Sequence, residues 1–401
     1  MKIGILKEGR TPLDRRAPLS PTQCRQLIER FPKARFIVQP SAARCYSDEE
    51  YDLKSILLDN DLSDCDLLLG IKEVQVNDLI PGKTYMFFSH TFKKQEHNKK
   101  LLQAILKNNI RLLDYELLKN ESKKRLIGFG RWAGIVGAYN GIRAYSIRYK
   151  LHEPKPAHTF DSYAQMLCEA AKIKLPPVKI IVTGNGRVAR GAIELLNALK
   201  IKKISSKEFL ADKKNDCPVY AQIDVDEYTK HKNGKAFDMK HFMEYPQEYE
   251  NNFLRFLPVT DMLISAAYWD TQAPVLFTAD EMRKPGFRIR VIADITCDIK
   301  GSIPSTLRPA IIEDPFYGYN PATEMEELAF VSPANITMMA VDNLPCELPR
   351  DASEDFGNEL VEKVLPEFFT DDKTGLLARA TICENGKINK AYKYLEEWVG
   401  R

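Results

Sequence analysis

The chain has 401 residues, 44% of them hydrophobic and 28% charged, with a formal net charge of +3. That length accommodates two domains with separate cores, and so mild and evenly mixed a charge argues against nucleic acid, which calls for a concentrated basic stripe. No apolar stretch reaches the ~18 residues of a membrane span, and the opening MKIGILKEG carries charge where a secretory signal needs an apolar run, so a cytoplasmic protein is expected.

In chain order, Lys2–Leu6 reads as a short buried strand. Ser20 then caps a helix with Pro21 at its first position and an amphipathic run over Gln23–Phe31. Phe36–Gln39, Asp66–Leu69 and Tyr85–Phe88 are apolar runs of strand length separated by helix-capable segments. Asn98–Leu106 predicts a helix and Ile110–Asp114 a strand. This alternation implies a parallel sheet covered by helices on both faces. WAGIVGAYNGIRAYSIRYKL, from Trp132 to Leu151, spaces small residues three or four apart along one face of a long helix suited to close backbone packing; it is read as the connector between domains. A helix to about Ile173, the breaker Leu175-Pro176-Pro177 and a strand at Lys179–Thr183 follow. The glycines after that strand open a helix to about Leu199. The 207–256 region reads as irregular decoration, and Asp261–Ala266, Arg290–Ile295 and Pro309–Glu313 as later strands. Asp351–Phe368 and Lys390–Trp398 read as helices.

Eight cysteines, at 24, 45, 65, 168, 217, 297, 346 and 383, form no C-x-x-C pair, and none stands at ligand spacing from a histidine. Reduced thiols and no metal are the expectation. The basic clusters Lys123–Lys124–Arg125 and Lys213–Lys214 read as solvated loop charge.

The most informative local motif is VKIIVTGNGRVARG. Gly184 lets the chain leave the strand in a tight turn, Gly186 has no side chain to block a pyrophosphate, and Ala189 or Gly191 lets the helix lie close to the sheet. The helix start offers unpaired N–H groups and its positive dipole end to phosphates. A strand before and a helix after are the context this motif requires. An acidic residue about twenty positions after the first glycine would hold the ribose hydroxyls of NAD. Ser205, Ser206 and Lys207 stand there instead, and hydroxyls with a lysine suit a 2′-phosphate. The expectation is NADP, with NAD the alternative.

Two further residues stand at the carboxyl ends of predicted parallel strands, where doubly wound sheets place ligands: Lys72 in LLLGIKEV and His90 in YMFFSHTFKKQ. Imidazole exchanges protons near neutral pH, and a partly desolvated lysine is brought toward the same range. Arg16, in KEGRTPLDRRAPLSP, and Arg125, in KKRLIGFG, are candidates for gripping substrate carboxylates bidentately.

With RRAPLSP (15–21), GIKEV (70–74), TYMFFSHTFKKQEHN (84–98), FGRWAGIVGAYNG (129–141), VTGNGRVARGA (182–192), IADITCDIKGSI (292–303) and VDNLPCELPRDASEDFG (341–357), the chain resembles the lysine-forming saccharopine dehydrogenases and the lysine–ketoglutarate reductase portion of aminoadipic semialdehyde synthases. More distantly it resembles the alanine dehydrogenase and transhydrogenase group. The resemblance implies an α/β fold of two Rossmann-like doubly wound domains with the active site in the interdomain cleft. Residues 1–131 with 370–401 would form the substrate domain and 132–369 the dinucleotide-binding domain. It implies Lys72 and His90 as the acid–base pair, and Arg16, Gln95 and Arg125 in contact with substrate. Gly184, Gly186, Arg187 and Val188 would surround the cofactor phosphates, and Asp294, Val341, Asn343, Leu344 and Pro345 would lie beside the nicotinamide. The implied reaction is reversible reductive condensation of L-lysine with 2-oxoglutarate to saccharopine, with these small molecules as partners; relatives differ in assembly, so the oligomeric state is left open, a homodimer among the options. An alanine-dehydrogenase-like enzyme and a non-catalytic NADP-binding protein are the alternatives left open.

Overall fold

The computed structural model describes residues 1–9, 12–211 and 215–400; the Lys213–Lys214 pair lies outside them. Its strands, in chain order, are β1 (Lys2–Ile5), β2 (Arg35–Val38), β3 (Leu57–Leu58), β4 (Leu67–Leu69), β5 (Thr84–Phe87) and β6 (Arg111–Asp114). Then come β7 (Lys179–Thr183), β8 (Lys202–Lys203), β9 (Val219–Ile223), β10 (Thr229–His231), β11 (Tyr249–Asn251), β12 (Met262–Ser265) and β13 (Val291–Asp294). The last are β14 (Phe316–Asn320), β15 (Met325–Glu327), β16 (Ile336–Met339), β17 (Thr381–Glu384) and β18 (Lys387–Ile388). Two compact units result, Met1–Phe129 with Pro349–Arg401, and Gly130–Leu348.

The first unit holds a sheet ordered β18-β17-β6-β5-β4-β1-β2-β3. It is parallel from β3 to β6, with β17 and β18 added antiparallel at one edge. Its central strands are uninterrupted apolar runs because helices cover both faces: Ile3, Ile5, Leu68, Leu69, Met86 and Phe87 are wholly buried. The Pro21–Arg30 helix starts as predicted. Ser20 accepts from the Gln23 N–H while the Gln23 side chain returns a hydrogen bond from the Ser20 N–H, a capping box with proline at the first turn.

The same glutamine corrects a boundary. Residues 349–369 were expected with the dinucleotide-binding half, yet the Pro349–Lys363 helix belongs to the first unit. Gln23 Nε2 donates to the Glu354 carbonyl and to Asn358 Oδ1, both at 2.8 Å, and the Phe356 ring stacks on Phe129 with centroids 4.5 Å apart. Helix-length apolar pattern locates such an element but cannot say which sheet it covers.

The second unit repeats the plan, ordered β15-β14-β16-β13-β12-β7-β9-β8. It is parallel from β8 to β16, with β14 and β15 antiparallel. Ile181, Leu263, Ile292 and Met338 from neighbouring strands join Phe209, Phe253 and Phe256 in its core. Two expectations fail here. The region 207–256 is not mere decoration, because it contributes β9, which pairs along its whole length with β7. Pro309–Glu313 is no strand: Ala310 makes only one bridge, to Val341, and the true neighbours of that edge are β14 and β16.

The Gly130–Arg148 helix, expected as a connector, is an integral layer of the second unit. It lies against the Arg187–Ala198 helix so closely that a Cβ on Gly134 would stand 1.9 Å from the Val188 carbonyl oxygen. One on Gly191 would stand equally near the Arg131 oxygen. Gly191 therefore serves helix-on-helix packing and not the helix-on-sheet contact expected of it. Among the described residues no helix is long and apolar enough to cross a membrane, and no disulfide joins any of the eight cysteines.

Candidate active site

In each sheet the chain reverses direction of travel between two neighbouring strands, β1 and β4 in the first and β7 and β12 in the second. The carboxyl ends at such a reversal are where open α/β sheets bind ligands, since the flanking loops diverge there and leave a crevice.

At the first of these reversals, the residues after β1 and β4 meet. Glu8 accepts the backbone N–H groups of Ile71 and Lys72 through its two oxygens, at 2.7 and 2.9 Å. Burial, with the Asp14 carboxylate nearby, raises its pKa to about 7 in spite of those hydrogen bonds and Arg16. Asp14 goes the other way. Burial opposes its charge, but the Arg16 guanidinium with its hydrogen bonds, and then the Lys72 ammonium, hold the carboxyl well below the usual range. A crevice of about 300 Å³ opens here, bordered by Glu8, Gly9, Gly70, Lys72 and Glu73.

His90 follows β5, one strand over. Its backbone is left-handed, φ 52°, a conformation uncommon for a residue with a side chain and typical of functional turns. It is fixed by Asp114, whose Oδ2 accepts from the Ser89 N–H, the Ser89 hydroxyl and the His90 N–H. The imidazole is held between two carboxylates, Nδ1 2.7 Å from Glu73 Oε1 and Nε2 3.6 Å from Glu116 Oε1. Burial disfavours its charged form, but Glu116 and Glu73 outweigh that and raise its pKa. Glu116 in turn is held ionised. Against the cost of burial it has His90, then Arg125 at 3.3 Å and Lys93 at 2.9 Å. Because Glu73 directly follows Lys72, the Glu73–His90 bond ties the lysine's loop to the imidazole.

Glu8, Glu73 and Glu116 were not singled out in the sequence. Glu8 and Glu73 lie one residue from elements that were, and the signal that could have found all three is position just beyond a strand end. Arg16 departs from expectation. It is 5% exposed, its Nε and Nη2 are both bound to Asp14 at 2.9 and 2.5 Å, and its guanidinium lies 4.2 Å over the Phe129 ring. The fork that would grip a substrate carboxylate is already engaged. Arg125 stays exposed beside Glu116, above the Phe88 ring. Gln95 is exposed, its Oε1 3.4 Å from Asn98 Nδ2.

Glu8 carries a pH signature. Its folded pKa of about 7 lies above the ordinary 4.5, so between these values the folded chain keeps a proton that the unfolded chain has lost. The stability it contributes is complete below about pH 4.5 and disappears as pH rises to 7, on the order of 2 kcal/mol after a discount for solvent at the edge of a mostly buried side chain. Denaturant melts of wild type and Glu8→Gln across that window should show the wild type losing this much relative to the variant. Parallel pH profiles would refute the assignment.

In the second unit, Gly184 leaves β7 with φ 88° and packs against Ala267. The turn is braced by Gln222, which donates to the Gly184 carbonyl at 3.0 Å, and by Thr183, whose hydroxyl accepts the Ala266 N–H at 3.1 Å. Gly186 begins the Arg187–Ala198 helix, and a Cβ placed on it would meet nothing within 4 Å. A cavity of about 370 Å³ adjoins this turn, bordered by Gly184, Gly186, Asp224, Tyr228, Phe242 and Trp269. Asp224 ends β9, the strand beside β7, and hydrogen-bonds the Asn185 side chain. Arg187 and Val188 form the first turn of the helix.

Ser205, Ser206 and Lys207 do not border the cavity. They follow β8, one strand further out, where Ser205 caps a short helix and exchanges hydrogen bonds with Glu208. β8 and this helix separate the glycine turn from β9 in sequence, although β9 is the strand beside β7. Asp294, at the end of β13, is buried and accepts from the Thr296 and Thr306 hydroxyls, each at 2.6 Å. Burial raises its pKa. Val341, Asn343, Leu344 and Pro345 follow β16, with Leu344 and Pro345 in a buried turn. In that turn Glu347 accepts from Asn140 at 2.7 Å.

Residues 4–136, which carry the whole Glu8–Lys72–His90–Glu116 array, match the family described as alanine dehydrogenase/PNT, N-terminal domain. Beyond these residues the likeness extends along the chain. It is 30% identical to alpha-aminoadipic semialdehyde synthase of Arabidopsis thaliana over 98% of this chain and 41% of that protein. It is 29% identical to the Bos taurus protein of that name, termed mitochondrial, over 98% of this chain and 47% of that one. The chain thus spans less than half the length of these relatives. With the L-lysine-forming, NAD(+) saccharopine dehydrogenase of Neurospora crassa it shares 24% identity, over 88% of each chain. Among solved structures, an L-alanine dehydrogenase aligns over the whole of both chains with a TM-score of 0.64 at 15% identity. A transhydrogenase from Sinorhizobium meliloti aligns over 97% of this chain and all of its own with 0.63 at 14%. Both structures share the two-sheet α/β fold described here.

Proposed function

We propose that the protein is a nicotinamide-dependent oxidoreductase acting on a CH–NH bond, and that it condenses L-lysine with 2-oxoglutarate to give saccharopine, reversibly. The observation that carries this reading is the imidazole of His90 suspended between Glu73 and Glu116, with Lys72 on the adjoining strand end. Forming a secondary amine from an amine and a keto acid moves a proton at carbinolamine formation, at loss of water and at imine capture. A histidine whose carboxylate neighbours favour the imidazolium can give and retake that proton near neutral pH. The names of the relatives point to the same chemistry and supply the substrate class.

In this reading Arg125, exposed and beside Glu116, receives a carboxylate of the keto acid, while Arg16 acts through Asp14 on the charge at Lys72. Lys72, an ammonium beside the ionised Asp14, gives a proton to the keto oxygen as the amine attacks, and the neutral lysine so formed takes the proton of the attached amine. His90 protonates the departing hydroxyl and is restored through Glu73 and Glu116. The glycine turn, the open space at Gly186 and Asp224 fit a dinucleotide. When bound, that cofactor supplies hydride to the imine carbon. NAD(H) is favoured over NADP(H): Asp224 borders the cavity beside the glycine turn, and a carboxylate there would accept from a ribose hydroxyl and repel a 2′-phosphate.

Two measurements test this. NADH oxidation with 2-oxoglutarate and a panel of amines should show turnover with lysine far above that with ammonia. Turnover with ammonia and pyruvate alone would overturn the substrate reading. Asp224→Ser should shift the kcat/KM ratio about ten- to a hundredfold toward NADPH, the worth of one charge-assisted hydrogen bond. An unchanged ratio, or a wild type that prefers NADPH, would overturn the cofactor reading.

A further inference from the structure

Away from both strand-end crevices, the β10–β11 hairpin of the second unit and the short helix Met239–Glu244 bring three ligand-type side chains together: His231, His241 and Glu248. His231 ends β10 opposite Tyr249 of β11, and Glu248 immediately precedes that strand. His231 is 3% exposed, and its Nε2 is buried without a hydrogen-bond partner. Glu248 Oε2 stands 3.5 Å from His231 Nε2 and 3.8 Å from His241 Nε2. These separations are too long for hydrogen bonds. They approximate the edges of a tetrahedron, since ligands ~2.0–2.2 Å from a zinc ion stand ~3.3–3.6 Å from one another.

The outer contacts favour the same arrangement at His241. Tyr249 donates its hydroxyl hydrogen to the Asp238 carbonyl, so the 3.2 Å contact between Tyr249 Oη and His241 Nδ1 is a donation from the ring. That leaves the lone pair on His241 Nε2, facing Glu248, in the way metal-bound imidazoles are oriented by an acceptor behind them. At His231 the Asn233 N–H donates to Nδ1 at 3.0 Å, so without an ion the ring proton sits on the buried Nε2. On binding, that proton shifts to Nδ1, and the Asn233 amide, in an exposed turn before Gly234, passes to solvent.

We propose that His231, His241 and Glu248 bind a divalent transition-metal ion of the zinc class, with the fourth position open to water. Two nitrogens and one carboxylate select Zn²⁺ or Co²⁺ over Mg²⁺ and Ca²⁺, which require oxygen-rich shells. The ion would clamp the Met239–Glu244 helix, whose Met239, Phe242 and Met243 wall the cavity beside the glycine turn, onto the hairpin. The three ligands follow no zinc-finger spacing, which is why no metal was expected from the sequence.

The test titrates the EDTA-treated full chain with Co²⁺ and with Zn²⁺. The expected result is a single equivalent bound, with the visible absorption of tetrahedral cobalt, no thiolate-to-cobalt charge-transfer band, and a Zn²⁺-dependent rise in Tm. His241→Ala and Glu248→Gln, on the half-exposed side of the cluster, should keep the metal-free Tm and lose both the absorption and the Tm rise. Saturable binding that persists in both variants, a thiolate band, or no binding by the wild type at micromolar metal would each overturn the site. Because none of these readouts involves turnover, their outcome is separate from that of the proposed reaction.

Discussion

Replacing His90 by Gln should lower kcat by about 10²–10⁴-fold, the usual range for removing a general acid–base group, while the dissociation constant for NADH changes little. The side chain hangs from a left-handed residue fixed by Asp114 through backbone contacts, so the substitution leaves the loop's anchors in place. Glutamine can still bond Glu73 but cannot carry a proton between Glu73 and Glu116. Lys72→Met should produce a loss of the same order by a different route. It removes the ammonium whose charge helps to hold Asp14 ionised. Steady-state kinetics together with fluorescence titration of NADH separate the two effects. Turnover within threefold of wild type in both variants would dismiss this pair as the proton-moving groups.

Gly134→Val should be the most damaging single substitution in the fold. Its Cβ would lie 1.9 Å from the Val188 carbonyl oxygen and 2.7 Å from the Ala192 nitrogen, both backbone atoms of the facing helix. Neither can rotate away, so the two helices must separate and the buried layer between them opens. A cost above ~4 kcal/mol follows, a large share of the stability of an ordinary domain. The second unit should then fail to fold cooperatively, as seen by loss of the melting transition or of soluble protein. Gly186→Val is the matched control. Its Cβ meets nothing within 4 Å and its φ is −71°, so Tm should hold while NADH binding is lost. A Gly134→Val protein with wild-type Tm would refute the packing argument.

Much of this molecule was legible in its sequence, for physical reasons that can be named. Strands buried on both faces read as short apolar runs, which is why β1, β4, β5, β6, β7, β12 and β13 appear close to where they were expected. The Ser20-Pro21 helix start and the glycine turn are local stereochemistry and need no tertiary context. β9 was missed because VYAQI lies between polar segments and carries a glutamine that braces the Gly184 turn. Missing that strand also shaped the cofactor expectation: counting residues from Gly184 led to Ser205–Lys207, whereas adjacency in the sheet led to the proposal for Asp224. Lys72 and His90 were singled out because strand ends can be read from pattern. Their partners were not, since a carboxylate after a strand looks like any solvated charge until the fold sets Glu73 and Glu116 on either side of one imidazole. Arg16 shows the converse, an arginine in a promising segment whose geometry is already satisfied by Asp14 two residues away.

The proton-moving role of His90 depends on its two carboxylate neighbours, and the imidazole reports on them without any turnover. Titrating the histidine ring resonances by NMR, with His90 assigned by its loss in His90→Gln, should place its pKa above the ordinary 6.5. In Glu116→Gln the same resonance should titrate at lower pH, because one of the two groups favouring the imidazolium is gone. A His90 that titrates at or below 6.5 in the wild type, and does not move when Glu116 is neutralised, would contradict the account.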